Sequence, residues 1–499
     1  MSSRKLQPGR AALGGAAAVP APRFVAALDH QATAWTRLDR WIVVGVMLIG
    51  LLLYLVRLGQ PPQYIYDEVY HAYTAARLAE GKRDPYMFNT SVPQEDRARF
   101  PVAYEWSHPA LAKLLMQPGI LIFGDTPFGW RIASAIFGAL GLGLFYALGH
   151  ALLGRPAGLI GAVLLLCDGL WFVQSRTAMN DVFLVSFLLL GYLAFFRYLQ
   201  RADRGRWRAL ALAGVGLGLA LATKWSALYS LGLLGLVAAG REGWRLVRAW
   251  RGDRRALQRA LGVVLLLTAI FVALPLALYV GGYAQFFAMG YTWQDWWALQ
   301  GQMRWYHTHL TACHDWASPW WSWPLLLRPV WYYVMRFDGL EANVFALGNP
   351  LIWWLFLPAI GYVARCWWQR HFSDAALGLI LLGFLGQWLP WALSPRISYL
   401  YHMLPSLPFG VLALAYGLDR LRRQTIRWEG GAIAGYRLTL GYLVLVALTF
   451  IFFYPHYSGL PIPQWLSAAH YWLPSWNPSV AWPFNCPQPT LLSRLLTLW

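Results

Sequence analysis

The chain has 499 residues, of which 58% are hydrophobic and 13% charged, and a net charge of +19. Soluble domains carry about a quarter charged residues, so an ordinary soluble enzyme is excluded. The basic residues sit between apolar runs with no RNA- or DNA-binding motif around them, which excludes a nucleic-acid binder and fits the positive-inside pattern of a membrane protein.

Residues 1–40 are rich in Ala, Gly, Pro and Arg and lack an apolar core. They are expected to form a disordered cytoplasmic tail, not a cleaved signal peptide. Apolar runs follow at 41–58, 128–150, 156–173, 181–198, 209–222, 226–240, 260–281, 350–364, 375–391, 401–418 and 438–454. Runs of this kind cross a hydrocarbon layer of about 30 Å as helices. The alternating ~10-residue segments of a β-barrel are absent. The expected fold is therefore an all-α polytopic membrane protein of about 11 transmembrane helices, with one transmembrane domain over 41–454 and an extracytoplasmic tail over 455–499.

With a cytoplasmic N-terminus, the inward segments are 1–40, 151–155, 199–208, 241–259, 365–374 and 419–437. They hold most of the 41 Lys and Arg residues. "REGWRLVRAWRGDRR" (241–255) and "DRLRRQTIR" (419–427) are the clearest cases. The outer side receives two long loops, 59–127 and 282–349, rich in aromatics, Pro and His. Long ordered loops usually carry function. Within them, 110–124 and 291–307 read as helices lying along the membrane face. The small residues of "FGALGLGLF" (137–145) and "GVGLGLALA" (214–222) read as helix-packing faces. Of four cysteines, Cys313 and Cys486 share the outer side, which permits a disulfide without indicating one.

Polar residues beside the apolar runs reach the same outer face. In chain order they are Asp67 and Glu68 in "YIYDEVYHAY", His108 and Lys113 in "YEWSHPALAKLL", Arg131 in "FGWRIAS", Arg176 and Asp181 in "QSRTAMNDVF", Lys224 in "ATKWSA", and Arg396 and His402 in "SPRISYLYHMLP". Each has a plain alternative. Taken alone, Arg131 and Arg176 read as snorkelling anchors more readily than as ligands, Lys224 reads as a solvated turn residue, Asp181 as a structural partner of Arg176, and His402 as a helix-end histidine. "HTHLTACHD" (307–315) has metal-like histidine spacing but no patterned carboxylate. No metal site is assigned, and His307 is grouped with the substrate-binding set.

Together the cluster suits a reaction in which a phosphate leaves and a hydroxyl attacks. Arg and Lys neutralise the departing phosphate, and a carboxylate takes the hydroxyl proton. If 67–71 is helical, Asp67 and Glu68 point about 100° apart and do different jobs, while Asp67 and His71 share a face.

"YDEV" (66–69), "HPALAK" (108–113), "GWR" (129–131), "SRTAMND" (175–181), "GLALATKW" (218–225), "SPWWSWPLLLRPVWYY" (318–333), "LGNPLIWW" (347–354) and "YLYHMLPSLPF" (399–409) occur in one order. In this the chain resembles the protein O-mannosyltransferase family, within the C-type membrane glycosyltransferases. The resemblance implies an enzyme that moves a sugar, expected to be mannose, from polyprenyl phosphate to Ser or Thr of exported proteins, with inversion and without a metal or other cofactor. It implies Asp67 as catalytic base with Glu68 assisting, and Arg131, Lys224 and Arg396 at the donor phosphate. His108, Lys113, Arg176, Asp181, His307 and His402 are expected in substrate binding. It places the active site on the extracytoplasmic face, in contact with membrane lipid. The chain departs from the usual family pattern at Ala110, Ala112 and "HDWASPWW" (314–321), which bears on donor sugar and acceptor. Transfer to a lipid or glycan acceptor, a non-enzymatic lipid-phosphate carrier, and a channel or transporter are the rival readings.

Overall fold

The computed structural model describes residues 34–99, 101–249, 254–310, 312–429 and 431–486. Most of the expected N-terminal tail lies outside them. All eleven apolar runs are helical, either whole or in pieces. They form α1 (Arg37–Leu55), α4 (Pro127–Leu153), α5 (Arg155–Leu166), α6 (Asp181–Gln200), α7 (Gly205–Leu221), α8 (Ala227–Arg248), α9 (Arg254–Gly281), α11 (Phe356–Gln369), α12 (Ala375–Trp388), α13 (Leu407–Arg422) and α14 (Gly435–Ser458). Among the described residues, seven segments, those of α1, α4, α6, α9, α11, α12 and α14, are long and apolar enough to cross a membrane. The remaining four are shorter or end in charged turns. Leucines and valines on the outer faces of α1, α9 and α14 are exposed, as expected of side chains that meet lipid instead of a core.

Local chemistry sets several boundaries. Thr126 caps α4 by accepting from the Gly129 N–H, with Pro127 in the first turn. The expected span at 156–173 is two helices: α5 stops at Leu166, and Asp168 caps a short helix, Gly169–Gln174, by accepting from the Trp171 N–H. The other Asp168 oxygen takes the Trp353 indole N–H at 2.7 Å and the Asn349 N–H at 3.0 Å. Helices α6 and α7 cross closely because Gly216 lies against Gly191, where a Cβ would come within 2.6 Å of the Gly191 nitrogen.

The two long loops hold α2 (Glu68–Ala79), α3 (Leu111–Phe123) and α10 (Trp293–His309). They also hold a feature absent from the all-α expectation, a hairpin of β1 (Val330–Phe337) and β2 (Leu340–Ala346). Its turn is Asp338-Gly339, with φ of 46° and 74°, the left-handed pair a two-residue hairpin needs. A smaller hairpin, β3 (Thr425–Trp428) with β4 (Gly431–Ala434), joins α13 to α14. Residues 459–486 do not trail away as a tail. Strand β5 (Ile462–Pro463) pairs with β2, Arg328 bonds to the Ser475 carbonyl at 2.7 Å, and Cys486 forms a disulfide with Cys313.

Candidate active site

One end of the helical bundle carries the C-terminal ends of α1, α7 and α12 and the N-terminal ends of α6 and α13. The loops between them enclose a cavity of ≈ 350 Å³. Asp67, His71, Glu105, His108, Asp181, Lys224, Arg396 and His402 line it, with Tyr66, Tyr399 and Tyr401. Residues far apart along the chain thus meet at one site.

Asp67 is the N-cap of α2, so its carboxylate and His71, one turn later, share the cavity face. Tyr66 immediately before it has φ 46°, a strained conformation for a bulky residue. Stacking holds it there: its ring lies parallel to Tyr332 of β1, centroids 4.5 Å apart, and meets Tyr399 and Tyr401 edge-on. The Gln174 amide donates to the Tyr332 hydroxyl at 2.7 Å. The Tyr401 hydroxyl lies 3.4 Å from Asp67 Oδ2. Burial among these rings pushes the Asp67 pKa up to about 7, against the opposing pull of Lys224.

Glu68 points the other way and is fully buried. It accepts both arms of Arg131 at 2.8 Å and the N–H groups of Ile65 and Ala178 at 3.0 Å. The remaining Arg131 donors bond to the carbonyls of Leu58, Pro61 and Gln63. All five guanidinium N–H groups are therefore engaged. This corrects two expectations. Arg131 has no donor left for a phosphate, and Glu68 is a buried clamp on the loop before α2, not a cavity residue.

Two more expected binders are structural. Arg176 donates to the carbonyls of Tyr54, Val56 and Arg57 at the end of α1, where a helix leaves acceptors without partners. It does not pair with Asp181. Lys113 is buried behind the cavity wall and bonded to Glu105 and the His108 carbonyl. Glu105, missed at the sequence level, is the hub of this wall: it also accepts from the Ser107 hydroxyl at 2.6 Å and lies 3.0 Å from His108 Nδ1. Burial acts to raise its pKa, but Lys113 and His108 outweigh it and hold Glu105 well below the ordinary value. The signal for it was present, an acid three residues before His108 and eight before Lys113.

Among the expected cations, Lys224 and Arg396 reach the cavity. Lys224 donates to Asp181 at 2.8 Å and lies over the Tyr401 ring, 5.5 Å from its centroid. Arg396 meets neutral groups, the His307 imidazole and the Ile397 carbonyl. His307 therefore stands one layer behind the cavity as a support. Burial and Arg396 lower its pKa to about 4. Its Nε2 faces the Ser107 carbonyl at 2.8 Å, which places the proton on Nε2 and leaves Nδ1 to accept from Arg396. His402 stacks on Trp391, centroids 4.2 Å apart, and accepts the Tyr399 N–H. Among the described residues, no three His, Cys, Asp or Glu side chains gather as a metal site.

The arrangement offers a carboxylate able to exchange a proton near neutrality, one lysine–aspartate pair, and one arginine whose charge those partners do not neutralise. It suits proton removal from a neutral nucleophile beside an anionic group.

Two family models match the chain. "Dolichyl-phosphate-mannose-protein mannosyltransferase" covers residues 117–289, and "C-terminal four TMM region of protein-O-mannosyltransferase" covers 292–476. A polyprenol-phosphate-mannose–protein mannosyltransferase of Mycobacterium tuberculosis is 29% identical over 88% of this chain and 92% of its own length. A similarly named protein of Corynebacterium glutamicum is 28% identical over 74% of this chain and 81% of its own. Among solved structures, the protein O-mannosyltransferase Pmt1-Pmt2 complex of S. cerevisiae bound to the sugar donor superposes with a TM-score of 0.73 at 16% identity, over 89% of this chain and 93% of that one.

Proposed function

The chain belongs to the protein O-mannosyltransferase family, and from that premise we infer that it moves mannose from a polyprenyl-phosphate carrier to hydroxyl groups of proteins. It is a multi-pass membrane enzyme of the glycosyltransferase class. The observation that carries the reading is the meeting of Asp67 with Lys224 and Arg396 in one cavity at one end of the bundle.

In this reading the hydroxyl of an exported Ser or Thr lies against Asp67. As its oxygen attacks the anomeric carbon, Asp67 takes the proton, and the bond from that carbon to the phosphate oxygen breaks on the opposite face, giving inversion. The electron pair leaves with polyprenyl phosphate, which gains a negative charge. Arg396 is the principal counter-charge, and Lys224, shared with Asp181, is the second. Tyr401 and the neutral His71 border the reacting groups; burial lowers the His71 pKa to about 4. No metal is assigned a role.

The cavity is assigned to the extracytoplasmic face. The Arg-rich segments 201–208, 241–249 and 420–427 leave the opposite helix ends. The Cys313–Cys486 disulfide borders the cavity, and such bonds persist in oxidising compartments.

Membranes containing the protein, incubated with radiolabelled polyprenyl-phosphate mannose, test the acceptor class. Label is expected in protein and released by chemistry that cleaves Ser/Thr-linked sugars. Label confined to lipid extract overturns the protein acceptor.

A further inference from the structure

A second cavity of ≈ 160 Å³ lies beside the first, and Arg396 and Ile397 line both. Its walls are Trp320, Trp321, Trp391 and Phe484, with Ser318 and Ser398. These walls are built. Trp391 is stacked on His402. The Trp320 carbonyl takes the Trp388 indole N–H at 2.8 Å. The two serine segments are tied together, the Ser318 N–H to the Ser398 carbonyl at 2.8 Å and the Ser398 hydroxyl to the Ser318 carbonyl at 3.1 Å. Phe484 meets Trp321 edge-on at 5.7 Å. It is held there by the disulfide and by the His314 N–H on the Asn485 carbonyl at 2.7 Å. One disulfide borders both spaces, since Cys313 lines the first and Cys486 the second.

The two serines bond within the wall, so the interior presented to a ligand is mostly aromatic. The space suits one side chain and is far too small for a polyprenyl tail. Arg396 at its mouth disfavours a cationic occupant. An extended chain advances about 3.3–3.6 Å per residue, and Arg396, Ile397 and Tyr399 line the cavity that holds Asp67, so a peptide whose hydroxyl sits at Asp67 carries its near neighbours toward this segment and the second cavity. Aromatic-lined pockets take the flat faces of proline and aromatic rings.

We propose that this second cavity is an acceptor subsite that receives a ring-bearing side chain, proline or an aromatic, two or three residues from the modified Ser or Thr. The proposal rests on the protein-acceptor reading above. It makes the enzyme selective for acceptor segments by a neighbour of the hydroxyl as well as by the hydroxyl itself.

The test uses the full chain in membranes, labelled polyprenyl-phosphate mannose, and alanine-rich peptides with one Thr. Proline, tryptophan, alanine or lysine is placed in turn at each position from three before to three after the Thr. The native protein is expected to favour a ring over alanine at one position by about 10-fold or more in kcat/KM, a range a shaped pocket can supply, with lysine the poorest. Ala392 also lines the space, so Ala392→Trp fills it and Trp321→Ala opens it. Both are expected to bring ring and alanine peptides within about 2-fold of each other while the rate on the all-alanine peptide and donor affinity hold.

Equal use of all peptides by the native protein overturns the subsite and leaves the protein acceptor standing. Equal losses on ring and alanine peptides in both variants also overturn it, as does a loss confined to peptides already carrying mannose, which reassigns the space to a sugar. If no peptide is labelled while lipid is, the protein acceptor falls first and takes the subsite with it.

Discussion

Asp67 and Glu68 are adjacent in sequence and opposite in surroundings. One faces a cavity among tyrosines; the other is buried on an arginine. The split was legible, because helical residues one apart diverge by about 100°. Which acid faced the cavity came from the resemblance, and the roles of Arg131 and Arg176 were not legible. Apart from Glu68 on Arg131, their partners are backbone carbonyls near residues 53–63, and a sequence does not state which distant carbonyls need donors. Two predictions follow from the contrast. Arg131→Ala strands Glu68 as a buried unpaired charge, which costs about 3–5 kcal/mol. It is expected to lower Tm sharply while the folded fraction binds donor normally. Arg396→Ala is expected to keep Tm and weaken donor binding at least about 10-fold, and equal donor affinity in both variants would contradict the assignment. The pH dependence follows from Asp67. Its folded pKa, about 7, lies above the ~4 of an unfolded carboxyl, so kcat/KM should rise with pH to a plateau above 7. Stability has the opposite sign. The folded state holds the proton more tightly, so this contribution is complete below pH 4 and is lost as pH rises through 7. Asp67→Asn is therefore expected to show a smaller fall in Tm between pH 4 and pH 8 than the native protein.

At the level of elements, the helices were readable from apolar runs, and the hairpin β1–β2 was not read although its signal was strong. Asp338-Gly339 stands between the strand-forming segments "VWYYVMRF" and "LEANVFA", the composition a two-residue turn requires. The hairpin matters because Tyr332 supplies the stacking face for Tyr66, whose backbone sits at φ 46° beside Asp67. Tyr332→Leu removes that face while keeping an apolar side chain. It is expected to lower kcat about 10-fold or more with little change in donor affinity, and Tyr332→Phe to recover most of the rate. A fall in donor affinity equal to the fall in kcat would assign Tyr332 to binding instead. The break at Asp168 was missed because its partners, Asn349 and Trp353, lie about 180 residues away.

Across the whole molecule, the fold gathers functional groups at one end of the bundle and basic turns at the other, an asymmetry the loop charges already conveyed. The disulfide was permitted by the sequence and needed coordinates to be assigned, since residue spacing alone does not bring Cys313 to Cys486. It offers a test of sidedness. With Cys167 and Cys366 replaced by serine, a membrane-impermeant maleimide added to intact cells should label the protein only after reduction, while labelling that requires opened cells would place the cavity on the cytoplasmic side. The most direct test of the chemistry is a single-turnover measurement on Asp67→Asn membranes loaded with labelled polyprenyl-phosphate mannose. The substitution removes a base and scarcely changes shape. Donor affinity should stay within about 3-fold of native, and transfer to acceptor should fall by roughly 10²–10⁴, the range general-base catalysis supplies. Transfer within a few-fold of native would contradict the account.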